Sequence, residues 1–130
     1  MSAADNLRAL NGYLVEHDES YLAEDAVFTD MSTGQVSAGR AEIAGMLQWF
    51  YSVAFDAHAE PTALFADDDH GVFEGFVVGR HIGEFAGVPP TGKDVRVPIC
   101  VTYDFRDGQL AAARIYVAVP AFLAQVGALG

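Results

Sequence analysis

Leu7, Leu10 and Leu14 recur at helical spacing behind Ser2 and Asp5, a pair placed to cap a helix start, so the chain opens with a predicted helix over about Ala3 to Glu16. A short polar stretch, Asp18 to Asp25, follows with Tyr21 and Leu22 as its anchors and room for one or two helical turns. Ala26 to Thr29 then reads as a brief extended segment. Beyond the loop at Ser32-Thr33-Gly34, the positions Ile43, Met46, Leu47, Phe50 and Ala54 share one helical face, which predicts the main helix from Gly39 onward.

After Phe55 the period changes from helical to extended. Four apolar runs, about Ala57 to Ala66, Val72 to Phe85, Val95 to Phe105 and Gln109 to Ala118, are separated by turn residues such as Asp107-Gly108. The second run carries Gly75, Gly79 and Gly83 on one face, a spacing that predicts a strongly bent sheet with that face concave. Pro120 suits a first helical position before Phe122, Leu123 and Val126. Helices followed by a strand meander predict an α+β class with no domain boundary over residues 1–130.

Composition narrows the functions open to this chain. Of 130 residues 52% are apolar and 19% charged, enough for a real core, and 18 acidic against 7 basic residues leave a net charge of −11. Nucleic acid and anionic membrane surfaces are excluded as main partners. The apolar stretch Ile115 to Ala124 is about half the ~20 residues of a membrane span. One cysteine, Cys100, and no leader-like start make a reducing cytoplasm the default compartment.

Several strings together resemble the SnoaL-like polyketide cyclase branch of the nuclear transport factor two-like superfamily. They are Tyr21 to Asp30, Gly39-Arg40-Ala41-Glu42-Ile43, His81 to Lys93, and Arg106-Asp107-Gly108-Gln109-Leu110. The resemblance implies a cone in which a bent antiparallel sheet wraps about three helices, leaves a pocket open at one end, and pairs sheet to sheet in a homodimer. It also implies cofactor-free aldol chemistry on a small, largely apolar carbonyl compound, with no metal. The acid/base Asp of such cyclases falls at Ile115, and the His and Trp that precede it fall at Ala113 and Arg114. An aliphatic side chain cannot transfer a proton.

The steroid isomerase branch places its base at Asp30, but its two oxyanion donors fall at Leu10 and Val101, which argues against that activity. Asp30 is therefore the expected base, against a plainer role in fixing the Met31 to Ser37 loop. His81, on the concave face with the glycines, is its expected partner, against a histidine buried in the core. Trp49, Tyr13, Tyr51, Tyr103 and Ile115 are the expected substrate-binding residues. Glu74, Phe76, Val78, Arg80, Ile82 and Glu84 fall on the opposite face and suit a subunit interface. His58 reads as structural or exposed, Asp67-Asp68-Asp69-His70 as a solvated turn, and Cys100 as a packed thiol. A non-catalytic binding protein with the same pocket is the alternative reading, favoured by Ile115.

Overall fold

The computed structural model describes residues 2–128; Met1, Leu129 and Gly130, the ends of the expected domain, lie outside the described residues. Helix α1 spans Ala3–Glu16, as the leucine spacing predicts. Ser2 Oγ accepts from the Asp5 amide and donates to the Asp5 carboxylate at 2.8 Å, so the capping pair works reciprocally. The helix ends at His17, whose left-handed backbone (φ 51°) returns its amide to the Tyr13 carbonyl.

Six strands follow: β1 (Leu22–Asp30), β2 (Val36–Ala38), β3 (Phe55–Ala66), β4 (His70–His81), β5 (Asp94–Arg106) and β6 (Gln109–Val117). Between β2 and β3 lie α2 (Gly39–Gln48) and a π-helical turn, Trp49–Ala54; α3 (Val119–Gln125) closes the chain. The strands form one sheet in the order β2-β1-β6-β5-β4-β3. The meander β3 to β6 is antiparallel, but β1 runs parallel to β6, so the sheet is mixed where the sequence predicts an antiparallel one. Strand β1 is also longer than the predicted Ala26 to Thr29, because it pairs with β6 at Leu22, opposite Leu110, and again from Val27, opposite Ala112, with the polar Glu24-Asp25 step carried in the irregular stretch between. Strand β4 ends at His81, four residues before the predicted limit.

The bend follows from close backbone approach. At Gly79, facing Ala57 across the β3–β4 ladder, an added Cβ would lie 2.1 Å from the Asp56 carbonyl oxygen. On the concave side Phe73, Val77, Val97, Leu110 and Ala113 pack beneath α1 and α3. The opposite face mixes charge and apolar surface: Arg96 stacks over Phe76 at 3.9 Å and pairs with Glu60, and Arg114 pairs with Asp104. Among the described residues no helix is long and apolar enough to cross a membrane.

Candidate functional site

A cavity of about 330 Å³ opens between the concave face of the sheet, α1 and α2. Each element contributes through its own period. From α1 and its C-cap come Tyr13 and His17, one turn apart and therefore on one side. From β1 come Phe28 and Asp30, two positions apart and so on one side of the strand, and β5 likewise supplies Ile99, Val101 and Tyr103. The π-helical turn places three consecutive aromatics, Trp49, Phe50 and Tyr51, on the wall. Tyr13, Phe28 and Tyr103 meet edge to face with every ring pair 6.3 Å apart, which makes a rigid aromatic floor.

Six of the seven expected site residues share this cavity: Asp30, Trp49, Tyr13, Tyr51, Tyr103 and Ile115. His81 is not among its lining. It does lie on the concave face, but it is fully buried against Phe55 and Phe122, and Phe85, which lines the cavity, packs on Phe122. Its Nδ1 lies 2.9 Å from Thr91 Oγ1 and accepts from the Thr91 amide, while Nε2 is buried with no hydrogen-bond partner. Helix α3 covers this part of the sheet, so a concave position there becomes core and not pocket. His81 pins the Gly83–Gly92 loop to β4.

The imidazole that lines the cavity is His17 instead. It stacks on Tyr51 with ring centroids 5.3 Å apart, and burial holds its pKa below the ordinary value, which favours the neutral ring. The spacing of Tyr13 and His17 on α1 carries the signal for this residue, but the helix ends there and a histidine one step past the last turn reads as a cap.

Asp30 fixes the loop that follows it and also lines the cavity. Its Oδ1 accepts from the Ser32 amide at 2.9 Å and the Ser32 hydroxyl at 2.5 Å, fixing the turn into β2. Its Oδ2 has no hydrogen-bond partner among the described residues. Glu42 lies across the mouth, where its Oε1 accepts from the Ala38 amide and caps α2. Deeper in, Tyr13 and Tyr103 are each 2% exposed, and among the described residues the hydroxyls of Tyr13, Tyr51 and Tyr103 bond to no protein group. Burial pushes the Tyr51 phenol up to about 12 and those of Tyr13 and Tyr103 well above their ordinary value, with mutual repulsion adding to the effect. All three hydroxyls therefore remain protonated donors at neutral pH.

The remaining candidates are ordinary. Asp67 Oδ1 accepts from the Asp69 and His70 amides and so builds the β3–β4 turn. No group of three His, Cys, Asp or Glu side chains is placed to hold a metal ion among the described residues. Cys100 sits half-buried on the outer face, where burial raises its pKa.

The profile of the SnoaL-like polyketide cyclases matches residues 4–126. The chain belongs to the SnoaL-like polyketide cyclase family. No curated protein matches its sequence. Among solved structures it is similar to a SnoaL-like polyketide cyclase homologue from Jannaschia sp. CCS1, at 18% identity, TM-score 0.85, and coverage of 98% of this chain and 95% of the other. It is also similar to TsrD from Streptomyces laurentii (19% identity, TM-score 0.83, 99% of both chains). A third likeness is to a protein of ketosteroid isomerase-like fold from Catenulispora acidiphila in complex with trimethylamine (19% identity, TM-score 0.74, 92% of both chains). At these identities the likeness establishes the fold, a nuclear transport factor two-like cone, and the chemistry has to come from the side chains of this SnoaL-like chain.

Proposed function

We propose that this SnoaL-like protein enolises a small, largely apolar carbonyl compound by cofactor-free proton transfer. The observation that carries the reading is the sharing of one aromatic cavity by a carboxylate oxygen without a partner, Asp30 Oδ2, and three unpaired phenol hydroxyls. In this reaction Asp30 Oδ2 takes a proton from the carbon next to the carbonyl. The C–H electron pair becomes the C=C bond of the enolate, and the carbonyl π pair moves onto oxygen. Phenol donors from Tyr13, Tyr51 or Tyr103 stabilise that oxygen, in the role such preorganised donors play at developing oxyanions. The proton then returns from Asp30 to carbon, or the enolate carbon attacks a second carbonyl in the same molecule and closes a ring, the π pair of that carbonyl moving onto its oxygen, which takes the proton held by Asp30 and leaves a hydroxyl. Either course is redox-neutral.

Ser32 supports the role by holding Oδ1 and so orienting the other oxygen. The test is wash-in of solvent deuterium at the α-carbon of a small aromatic-fused ketone such as 2-tetralone, followed by NMR. Wild-type protein should accelerate exchange, and Asp30→Asn should lower that acceleration by about a hundredfold or more while binding is nearly kept. One observation favours a second reading, a binding protein without catalysis: Ile115 stands where the resemblance puts the acid/base Asp of the cyclases. Saturable ketone binding with no exchange above background would select it.

A further inference from the structure

The Lys and Arg side chains of this acidic chain are all committed away from the cavity. The seven Lys and Arg residues are Arg8, paired with Asp5; Arg40, donating to the Leu22 carbonyl; Arg80, paired with Asp94; Lys93, donating to the Val126 carbonyl; Arg96, paired with Glu60; Arg106, paired with Asp25; and Arg114, paired with Asp104. None lines the cavity. Its two acidic groups, Asp30 and Glu42, stand without an ion-pair partner among the described residues. His17 adds no positive charge, since burial favours its neutral form.

Eight of the lining side chains are Phe, Tyr or Trp, and Trp49 is 43% exposed at the mouth. Aromatic faces attract cations and repel anions. Two uncompensated carboxylates on a chain of net charge −11 work in the same direction. An anionic ligand would meet no counter-charge anywhere on this wall, and a neutral one would leave both carboxylates uncompensated at the point of entry.

We infer that the ligand of this cavity carries a basic nitrogen, protonated in water, held at the mouth between the Glu42 carboxylate and the Trp49 ring. The inference rests on the enolisation reading for the rest of the molecule: the ligand is then an amino-substituted ketone or aldehyde, its carbonyl directed to the phenols and its ammonium to the rim. Glu42 is the specificity-determining residue. Its Oε1 caps α2, which leaves Oε2 for the ligand.

The experiment measures binding of phenyltrimethylammonium, its neutral isostere tert-butylbenzene, and phenylacetate, at low ionic strength, through the fluorescence of Trp49, the single tryptophan. The cation should bind about tenfold tighter than the isostere, the scale of one partly desolvated cation–π and carboxylate contact, and phenylacetate the weakest of the three. Glu42→Gln, which retains an oxygen for the Ala38 amide, should bring cation and isostere to within about threefold. Equal binding of cation and isostere by the wild type, or tighter binding of phenylacetate, overturns the inference, and so does a cation preference untouched by Glu42→Gln. Deuterium exchange into 2-tetralone, which has no charge, separates the two readings. Asp30-dependent exchange without cation preference sinks only the ligand charge. Cation preference without exchange supports the ligand charge and sinks only the enolisation.

Discussion

Asp30 and Ile115 are register partners in the parallel ladder between β1 and β6, and the amide of Met31 donates to the Ile115 carbonyl at 2.8 Å. Paired residues on neighbouring strands stand about 4.8 Å apart with side chains on the same face. Both line the cavity. Asp30 thus stands one strand over from the position at which the resemblance would place a carboxylate, at the same height in the sheet. This pairing makes Ile115→Asp informative. A second carboxylate beside Asp30 would raise the apparent pKa of one member of the pair, because two like charges at that spacing resist joint ionisation. The acid limb of the pH–rate profile for exchange should move to higher pH. Unfolding should cost roughly 1–3 kcal/mol less than in the wild type, from placing an acid where an aliphatic group packs. An unmoved acid limb would show that Asp30 is not the titrating base.

His81 offers the opposite case, a histidine whose importance is structural. His81→Ala removes a fully buried ring and its link to Thr91, so chemical denaturation should report a loss of about 3 kcal/mol. Ketone binding in the folded fraction should change little, since His81 does not line the cavity. A loss of binding with stability intact would return His81 to the site.

The helix and strand faces that frame this cavity were legible from residue pattern alone. Ser2, Asp5 and the leucine spacing set α1 to the residue, and alternation along β4 separates buried Phe73 and Val77 from outward Glu74 and Arg80. Three features were not legible, each for a physical reason. Strand β1 holds Glu24 and Asp25, and its extended form comes from pairing with β6, distant in sequence, which no local period records. A sheet face does not say which of its positions a later helix will cover, and Phe122 of α3 is what separates His81 from the cavity. The π-helical turn at Trp49–Ala54 interrupts the helical period, so Trp49, Phe50 and Tyr51 all reach one wall although they fall on different faces of a regular helix.

Gly79 tests the origin of the bend. A methyl group there would overlap the Asp56 carbonyl, part of a backbone fixed by pairing with β4, and neither can withdraw without opening the sheet. Gly79→Ala should lower stability by about 3 kcal/mol. Gly45→Ala, where the added carbon meets nothing within 4 Å, should be neutral or slightly stabilising through helix propensity. Equal effects at both positions would detach the curvature from Gly79.

The outer face of the sheet exposes Ile82 and Tyr116 beside the Arg96–Phe76 stack, and it is the surface on which the expected homodimer rests. Light scattering at micromolar concentration should give about twice the chain mass. Tyr116→Glu, which buries a charge in such an interface without touching the cavity lining, should shift the protein toward monomer. A wild-type monomer at that concentration would remove the dimer.

His17 predicts how stability responds to acid. Burial lowers its pKa in the folded state relative to about 6.5 in the unfolded chain, so between those two values the unfolded chain binds more protons. The folded state therefore keeps its full stability from this group above pH 6.5 and loses it as pH falls from there through the lower folded pKa. Protonation also places a cation against Tyr13 and Tyr51, whose rings lie 5.5 and 5.3 Å away and partly offset the burial cost, so the dependence should be shallow. His17→Asn is the suitable comparison, because asparagine tolerates the left-handed backbone at this helix end and does not titrate. Unfolding midpoints in urea, measured from pH 8 down to pH 5, should fall more steeply for the wild type than for His17→Asn. Parallel curves would mean that His17 titrates alike in both states, and with that the neutral imidazole assigned to the cavity wall would lose its basis.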